Sequence, residues 1–266
     1  YEPGETLTPA QREALPSHAK QVALTLTSEL EARSAEPIVD IDTDLRPEGK
    51  SGPLVRTLAS YAKYYSTWSE PWEAQALLRA RPIAGDQELG HAFVRLIDPL
   101  RYPQEVPESS IMQMRRLKAR MESERLPRGG DKKRHLKLGT GGLSDVEWTV
   151  QMLQLQHAHT HPALRTTSTL EALNAATKNG LIDEDSAHKL EAAWIIASRV
   201  RSAAVLYKGR GSGVLPTDET ELEAIALLLG YEPGGGYQLV EDYLGATRRA
   251  RKVMEHVFFG FEPEEI

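Results

Sequence analysis

Helical periodicity over the larger, C-terminal part of the chain constrains the fold more than any other feature of the sequence. After a cluster of prolines at positions 99, 103 and 107, apolar residues recur every three or four positions. This spacing is typical of helices that bury one face. It predicts helices over about 109–125, 144–158, 193–207, 222–229 and 237–259. We therefore expect an all-helical bundle of five or six helices over residues 107–266.

Strand and helix signals are mixed in the first hundred residues. Helices are predicted at about 17–33 and in the segments "TLASYAKYYSTW", "PWEAQALLRAR" and "DQELGHAFVRLIDPL". "EPIVDIDTD" alternates apolar and acidic residues, as a strand does, and "PLVRT" is a second extended piece. The pattern predicts an α+β domain over residues 1–106, followed by the all-α domain over residues 107–266.

The composition excludes several classes of protein. The net charge of −6 and the pI near 5.8 argue against a nucleic-acid binder, which normally has a basic excess. The absence of cysteine excludes disulfides and thiolate zinc sites, and it is compatible with the cytoplasmic location that we expect. No apolar run approaches membrane-spanning length. Because the chain begins with Tyr1 rather than Met, we expect a fragment of a longer protein.

The stretch "DIDTDLRPEGKSG", which begins at Asp40, is the first candidate site. An EF-hand loop needs Gly at its sixth position and Glu at its twelfth, where this chain has Leu45 and Ser51. A P-loop needs Gly where Asp44 stands. On a strand, Asp40, Asp42 and Asp44 would share one face. Such carboxylates either hold Mg²⁺ for phosphoryl transfer or form a solvated edge strand, and both interpretations stay open here.

The stretch "KLGTGGLSDVEW" is the second candidate. A glycine-rich turn that leads into a helix offers backbone N–H groups to an anion, and Lys137 adds positive charge. Asp145 and Glu147 lie in the first turn of the same helix, where acidic residues commonly stabilise the helix dipole. The stretch is therefore either an anion site or a capped helix after a flexible loop.

The stretch "WEAQALLRAR" places Arg79 and Arg81 on one predicted helix. Arginine forks match the geometry of phosphate oxygens, so these residues are candidates for contact with a triphosphate. An ordinary surface helix with ionic pairs explains the same pattern equally well.

Taken in order, these stretches resemble the bacterial glutamine synthetase adenylyltransferases. The matching segments are "VDIDTDLRPEGKSGPLVRTLASYAKYY", "WEAQALLRARPIAGD" and "KLGTGGLSDVEWTVQMLQLQHAH". The resemblance implies a polymerase-β-like nucleotidyltransferase domain followed by a helical domain shared with PII-uridylyltransferases. It also implies transfer of AMP from ATP to a tyrosine of glutamine synthetase, with Mg²⁺ as cofactor and a PII-type protein as a further partner.

The resemblance assigns roles to particular residues. Asp42 becomes a catalytic carboxylate and metal ligand, and Asp40 takes the acidic position before it. The candidates for nucleotide and phosphate binding are Arg46, Arg79, Arg81, Lys137, Gly141 and Gly142. The family's first acidic motif, which would supply two further carboxylates, is absent, so we expect a domain cut at its N-terminus and a fragment inactive alone.

The family has a transferring and a removing half, and the glycine motif distinguishes them. In the removing half an Arg precedes the acidic pair of that motif, whereas this chain has Ser144 before Asp145. This difference predicts the C-terminal, adenylyl-transferring half. Two alternatives stay open: the phosphorolytic removing half, and a docking module without chemistry that binds glutamine synthetase or a PII-type protein.

Overall fold

A computed structural model describes residues 3–4, 6–32, 41–124 and 131–262, and over these ranges the chain is helical, without strands. The helices are α1 (Pro9–Leu30), α2 (Leu58–Thr67), α3 (Pro71–Leu77), α4 (Gln87–Arg101), α5 (Glu108–Glu124), α6 (Leu143–His157), α7 (Thr169–Lys178), α8 (Glu184–Lys208), α9 (Glu219–Leu228) and α10 (Gly236–Val257). An isolated antiparallel bridge joins His135 to Val214. None of the helices in the described ranges is both long and apolar enough to span a membrane.

The α+β fold predicted for the first domain is wrong for the described residues. Residues 41–44 and 53–57 form no strand. The backbone N–H of Asp44 donates to Oδ1 of Asp42 at 2.8 Å, and this local turn replaces the ladder that a strand would need. Residues 36–40 of the predicted strand, which include Asp40, lie outside the described residues.

The predicted helices are confirmed where apolar spacing and end signals agree. Helix α8 is confirmed but begins at Glu184, well before the predicted start at about 193, because Asp183 caps it by accepting a hydrogen bond from the N–H of Ser186; Gly209 ends it in the left-handed conformation. Helix α1 begins earlier than predicted, because Thr8 and Gln11 cap each other reciprocally. Helix α7 was missed, although Ser168 caps it.

The chain divides into two compact units, residues 1–101 and 102–266. In the first unit, α4 packs against α2 and α3. Tyr61 and Phe93 meet edge to face, and the Arg101 guanidinium donates to the carbonyl oxygens of Leu77 and Ala80. These contacts fix α3, which forms one wall of the first candidate site. The domain boundary at 106/107 stays a prediction.

In the second unit, α10 packs against α6, α8 and α9. The apolar core lies between these helices and the segments that follow α5 and α8. One cluster of its buried residues comprises Leu136, Leu143, Ala197, Val200, Ala203, Ala204, Leu215, Ile225, Ala226, Leu239, Val240 and Tyr243. Because Leu136 and Leu143 flank the glycine-rich stretch, that stretch is anchored in the core at both ends.

Candidate functional site

The acidic loop, residues 41–52, carries the predicted catalytic carboxylate. Asp42 is exposed and lies two residues after Asp40, which is outside the described residues. The Arg46 guanidinium lies inside the loop, where it donates to the carbonyl oxygens of Thr43, of Gly52 at 3.3 Å and of Lys50 at 3.4 Å. Arg46, predicted as a phosphate ligand, therefore holds the shape of the loop that presents Asp42.

A second arginine fixes the far end of the acidic loop. Arg56 forms an ion pair with the carboxylate of Glu48, and its guanidinium lies 5.7 Å from the ring centroid of Tyr64. Glu48 itself has a φ of +63°, a conformation that is costly for a residue with a Cβ. The ion pair with Arg56 holds Glu48 in this conformation, so the loop is tethered at both ends.

A pocket of about 230 Å³ lies between the acidic loop and helices α2 and α3. Its walls are Leu45, Arg46, Tyr65, Trp72, Glu73, Ala76, Leu77, Arg79 and Ala80. The structure thus brings Arg46 and Arg79 to one pocket, whereas Arg81 is exposed and does not line it. Sequence reasoning missed the aromatic wall, because no local motif marks Tyr65 or Trp72 as neighbours of the loop.

The polar groups deep in this pocket are already engaged. Glu73 is buried and accepts hydrogen bonds from the Tyr64 hydroxyl and from the backbone N–H of Glu70, both at 2.9 Å. Burial raises the pKa of the Tyr65 hydroxyl. Arg79 also lines this pocket and is exposed.

The described residues do not assemble a metal site. Within the ranges that the structure describes, no three carboxylate or imidazole groups gather closely enough to hold a metal ion. Asp42 offers one oxygen ligand, and its neighbour Asp44 is paired with Lys50 at 3.2 Å. Mg²⁺ prefers several oxygen ligands in octahedral geometry, so the part of the chain described here does not by itself fit the ion.

The glycine loop, residues 137–142, leads into α6 but does not expose the N–H groups of that helix. The N–H of Leu143 donates to the Leu136 carbonyl at 3.0 Å, and that of Ser144 to the Lys137 carbonyl at 2.9 Å. The N–H of Gly141 donates to Oδ2 of Asp145 at 2.7 Å. An anion at a helix N-terminus needs such donors, and here protein oxygens already occupy them.

The predicted ligands in the glycine loop differ in exposure. Lys137 is exposed, whereas Gly141 and Gly142 are buried. Gly141 has a φ of +73°, and a Cβ at this position would lie 1.8 Å from the carbonyl oxygen of Thr247 in α10. Gly141 is therefore required by a backbone-to-backbone contact. A role for Gly141, Gly142 and Lys137 in phosphate binding stays a prediction.

A buried ionic network holds the glycine loop against α5 and α10. Asp145 is fully buried, and its Oδ1 accepts from the Lys118 ammonium at 2.6 Å. Arg251 reaches Oδ2 of Asp145 at 3.1 Å and the Glu122 carboxylate at 2.8 Å. Burial acts to raise the pKa of Glu122, but the hydrogen bond from Arg251 and the charge of Lys118 hold it below its usual value. Asp145, interpreted from the sequence as a first-turn acid that stabilises the helix dipole, thus joins three helices.

The sequence contained a signal for this network that we did not use. Ile111, Met114 and Met121 form the apolar stripe of α5, and Lys118 occupies the same stripe, four residues after Met114. A lysine on an apolar stripe predicts a buried cation, which needs a carboxylate partner. The sequence alone does not identify that partner, because Asp145 lies 27 residues further along the chain and is brought close only by the fold.

Comparison with known proteins places these features in a family. Residues 4–96 match the model for glutamate-ammonia ligase adenylyltransferase, and residues 114–261 match the model for GlnD PII-uridylyltransferase. Both models carry the names of nucleotidyltransferases. The first match covers the acidic loop and its pocket, and the second covers the glycine loop and the ionic network.

Curated relatives identify the family to which the chain belongs. Proteins named bifunctional glutamine synthetase adenylyltransferase/adenylyl-removing enzyme are 55% identical in Streptomyces avermitilis and 53% identical in Streptomyces coelicolor, over 87% and 94% of this chain. The enzyme of that name in Mycolicibacterium smegmatis is 52% identical over 85% of this chain. The chain covers 23%, 25% and 23% of these relatives, about a quarter of their length. It belongs to the glutamine synthetase adenylyltransferase family.

Proposed function

We propose that this chain is part of the adenylyl-transferring half of such an enzyme, which moves AMP from ATP to a tyrosine of glutamine synthetase. The names of the relatives include both transfer and removal, and the chain spans only part of them. The observation that carries the proposal is the acidic loop: Asp42 is presented to solvent by a loop tethered at both ends, beside a pocket that Arg79 lines. That arrangement suits a catalytic carboxylate next to a nucleotide.

Ser144 supports the transferring half over the removing half. The family resemblance places an Arg at this position in the removing half. Here Ser144 is only 3% exposed and lies in the first turn of α6, between Leu143 and Asp145, which are also buried. A guanidinium in this buried place would lose its hydration. The packing around α6 therefore suits a small residue.

The proposed reaction is an in-line displacement at the α-phosphorus of ATP. The tyrosine oxygen of the target forms a bond to the α-phosphorus, the bond to the bridging oxygen breaks, and pyrophosphate leaves with its electrons. The tyrosine proton passes to solvent or to a carboxylate such as Asp42. Arg79 offsets the negative charge of the phosphates. Asp42 would also offer one oxygen ligand to Mg²⁺, an ion that the described residues do not hold by themselves.

The partners follow from the same proposal. Glutamine synthetase would be the protein substrate, and a PII-type signal protein would act as a regulator, as the family resemblance implies. The second unit, which matches the PII-uridylyltransferase model, would serve as the helical platform for these contacts.

The test is incorporation of label into glutamine synthetase by the intact parent enzyme. With ATP labelled at the α-phosphorus, the proposal expects label on a tyrosine and one pyrophosphate released for each AMP attached. ATP labelled at the γ-phosphorus is the matched control and should leave the target unlabelled. Transfer of the γ-label, or no incorporation from either nucleotide, would contradict the proposal.

A further inference from the structure

A groove of about 660 Å³ lies between helices α7 and α8 of the second unit. Its floor includes the buried side chains of Leu173 and Ala187, one from each helix. The lining residues of each helix recur at intervals of three and four, so each helix contributes one continuous face. The groove is therefore formed by two helix faces that share an apolar floor.

The groove is open to solvent along its length. Both walls carry exposed side chains, among them Asn174 from α7 and His188 from α8. A site for a small molecule usually encloses about 70–90% of the surface of its ligand. An apolar groove that stays open between two helices suits one side of a larger ligand, such as a segment of another protein.

The charges along the groove are unevenly distributed. Because only residues 179–183 connect α7 to α8, the two helices run antiparallel. The end of the groove near this connection is lined by a cation and an anion, Lys178 and Glu184. The far end is lined by two carboxylates, Glu171 and Glu191, and the described residues that line it include no cation there. The far end is therefore the acidic end of the groove.

The two carboxylates at the acidic end have no cationic partner in the described part of the chain. Glu171 accepts a hydrogen bond from the Thr166 hydroxyl at 2.6 Å. Glu191 is half-buried, and among the described residues its carboxylate forms neither an ion pair nor a hydrogen bond. A lysine or arginine from a ligand would supply the missing partner, and its aliphatic stem would cover the apolar floor.

We propose that this groove binds a basic segment of the protein substrate, with a lysine or arginine of that segment at the acidic end and its apolar side chains on Leu173 and Ala187. The proposal rests on the adenylyl-transferring function given above and names the docking surface for its target. Glutamine synthetase is the protein that the names of the relatives give as their target. The complementary charges would bring the two proteins together and fix the position of the segment along the groove.

The test measures the KM for glutamine synthetase and the KM for ATP in variants of the intact parent enzyme. Glu191→Lys places a like charge opposite the basic segment, so it should raise the KM for glutamine synthetase roughly fivefold and leave the KM for ATP unchanged. Asp185→Lys is the matched control, because Asp185 is an exposed carboxylate of the same helix that does not line the groove. It should change neither KM.

A second variant fills the groove without changing its charge. Asn174→Trp, at an exposed position of α7, should also raise the KM for glutamine synthetase and leave that for ATP unchanged. An unchanged KM for glutamine synthetase in either variant, an equal rise with Asp185→Lys, or an equal rise in the KM for ATP would overturn the proposal.

A binding measurement separates this proposal from the proposed function. If the wild-type enzyme transfers no AMP, the proposed function fails, and sedimentation velocity of the enzyme with glutamine synthetase in the absence of ATP still tests the groove. Binding by the wild type that Glu191→Lys weakens would support the docking surface. No binding by the wild type, or equal binding by the wild type and Glu191→Lys, would overturn it.

Discussion

Replacing Asp145 with asparagine tests how the glycine loop is held. The side chain is fully buried and binds the Lys118 ammonium, the Arg251 guanidinium and the N–H of Gly141. Asparagine keeps the shape of the side chain and one acceptor but removes the charge. Lys118, which is 1% exposed, then loses its shortest ionic contact in a place that water does not reach.

The size of the effect follows from the partners that remain. Removing one member of a buried ion pair costs about 3–5 kcal/mol, because the other charge is left uncompensated. Lys118 retains Glu122 at 3.1 Å, and Arg251 retains both Glu122 and Glu255. Because these contacts remain, we expect Asp145→Asn to lower the free energy of unfolding of the second unit by about 3 kcal/mol, the lower end of that range.

Urea denaturation measures this loss, with amide hydrogen exchange in α6 and α10 to assign it to the second unit. The matched control is Asp185→Asn, which removes an exposed carboxylate paired with Lys189 on the surface of α8. Exposed pairs contribute between 0 and about 1 kcal/mol, so the control should remain close to the wild type. A loss below about 1 kcal/mol for Asp145→Asn would refute the argument that an uncompensated buried charge dominates.

Three further changes test the same region. Gly141→Ala should cost about 3 kcal/mol or more in urea denaturation, because its Cβ would overlap the Thr247 carbonyl. Gly180→Ala is the control: Gly180 has a φ of +69°, and a Cβ there would have no atom within 4 Å, so the change should cost only about 1 kcal/mol. Equal losses of stability for Gly141→Ala and Gly180→Ala would refute the clash with Thr247. Ser144→Arg should lower the thermal midpoint of unfolding, whereas Ser144→Ala should leave it unchanged. An unchanged midpoint for Ser144→Arg would contradict the packing argument for the transferring half. Burial lowers the pKa of His135 below 6.5, so the folded state disfavours its protonation. Relative to His135→Gln, the wild type should lose stability as the pH falls through and below about 6.5, and parallel pH profiles would contradict this.

The acidic loop shows why the strand prediction failed. Alternation of Val39, Asp40, Ile41 and Asp42 satisfies the pattern of a strand, but a strand also needs a neighbouring strand as partner. In the described part of this segment, side chains supply the hydrogen bonds instead: Asp42 accepts from Asp44, and Arg46 donates to three carbonyls. Such local competition between side chains and backbone is not visible in apolar periodicity.

The glycine loop could be located from the sequence, but its packing could not. The motif and the start of α6 follow from local signals, and α6 indeed begins at Leu143. Glycine is required at position 141 because a Cβ there would clash with the backbone of Thr247. Asp145 binds the guanidinium of Arg251, which lies 106 residues further along the chain. Contacts at that separation depend on how α10 packs, so the motif alone could not predict the closed conformation of the glycine loop, and its role in phosphate binding stays a prediction.

The most direct test of the central claim is the effect of Asp42→Asn on the two reactions of the intact parent enzyme. AMP incorporation into glutamine synthetase and phosphate-dependent release of ADP from modified glutamine synthetase are measured on the same preparation. Asp44→Asn, in the same exposed loop, is the matched control for loop structure. The account predicts that Asp42→Asn abolishes incorporation and leaves ADP release intact. Loss of ADP release with incorporation retained would assign the chain to the removing half and contradict the account.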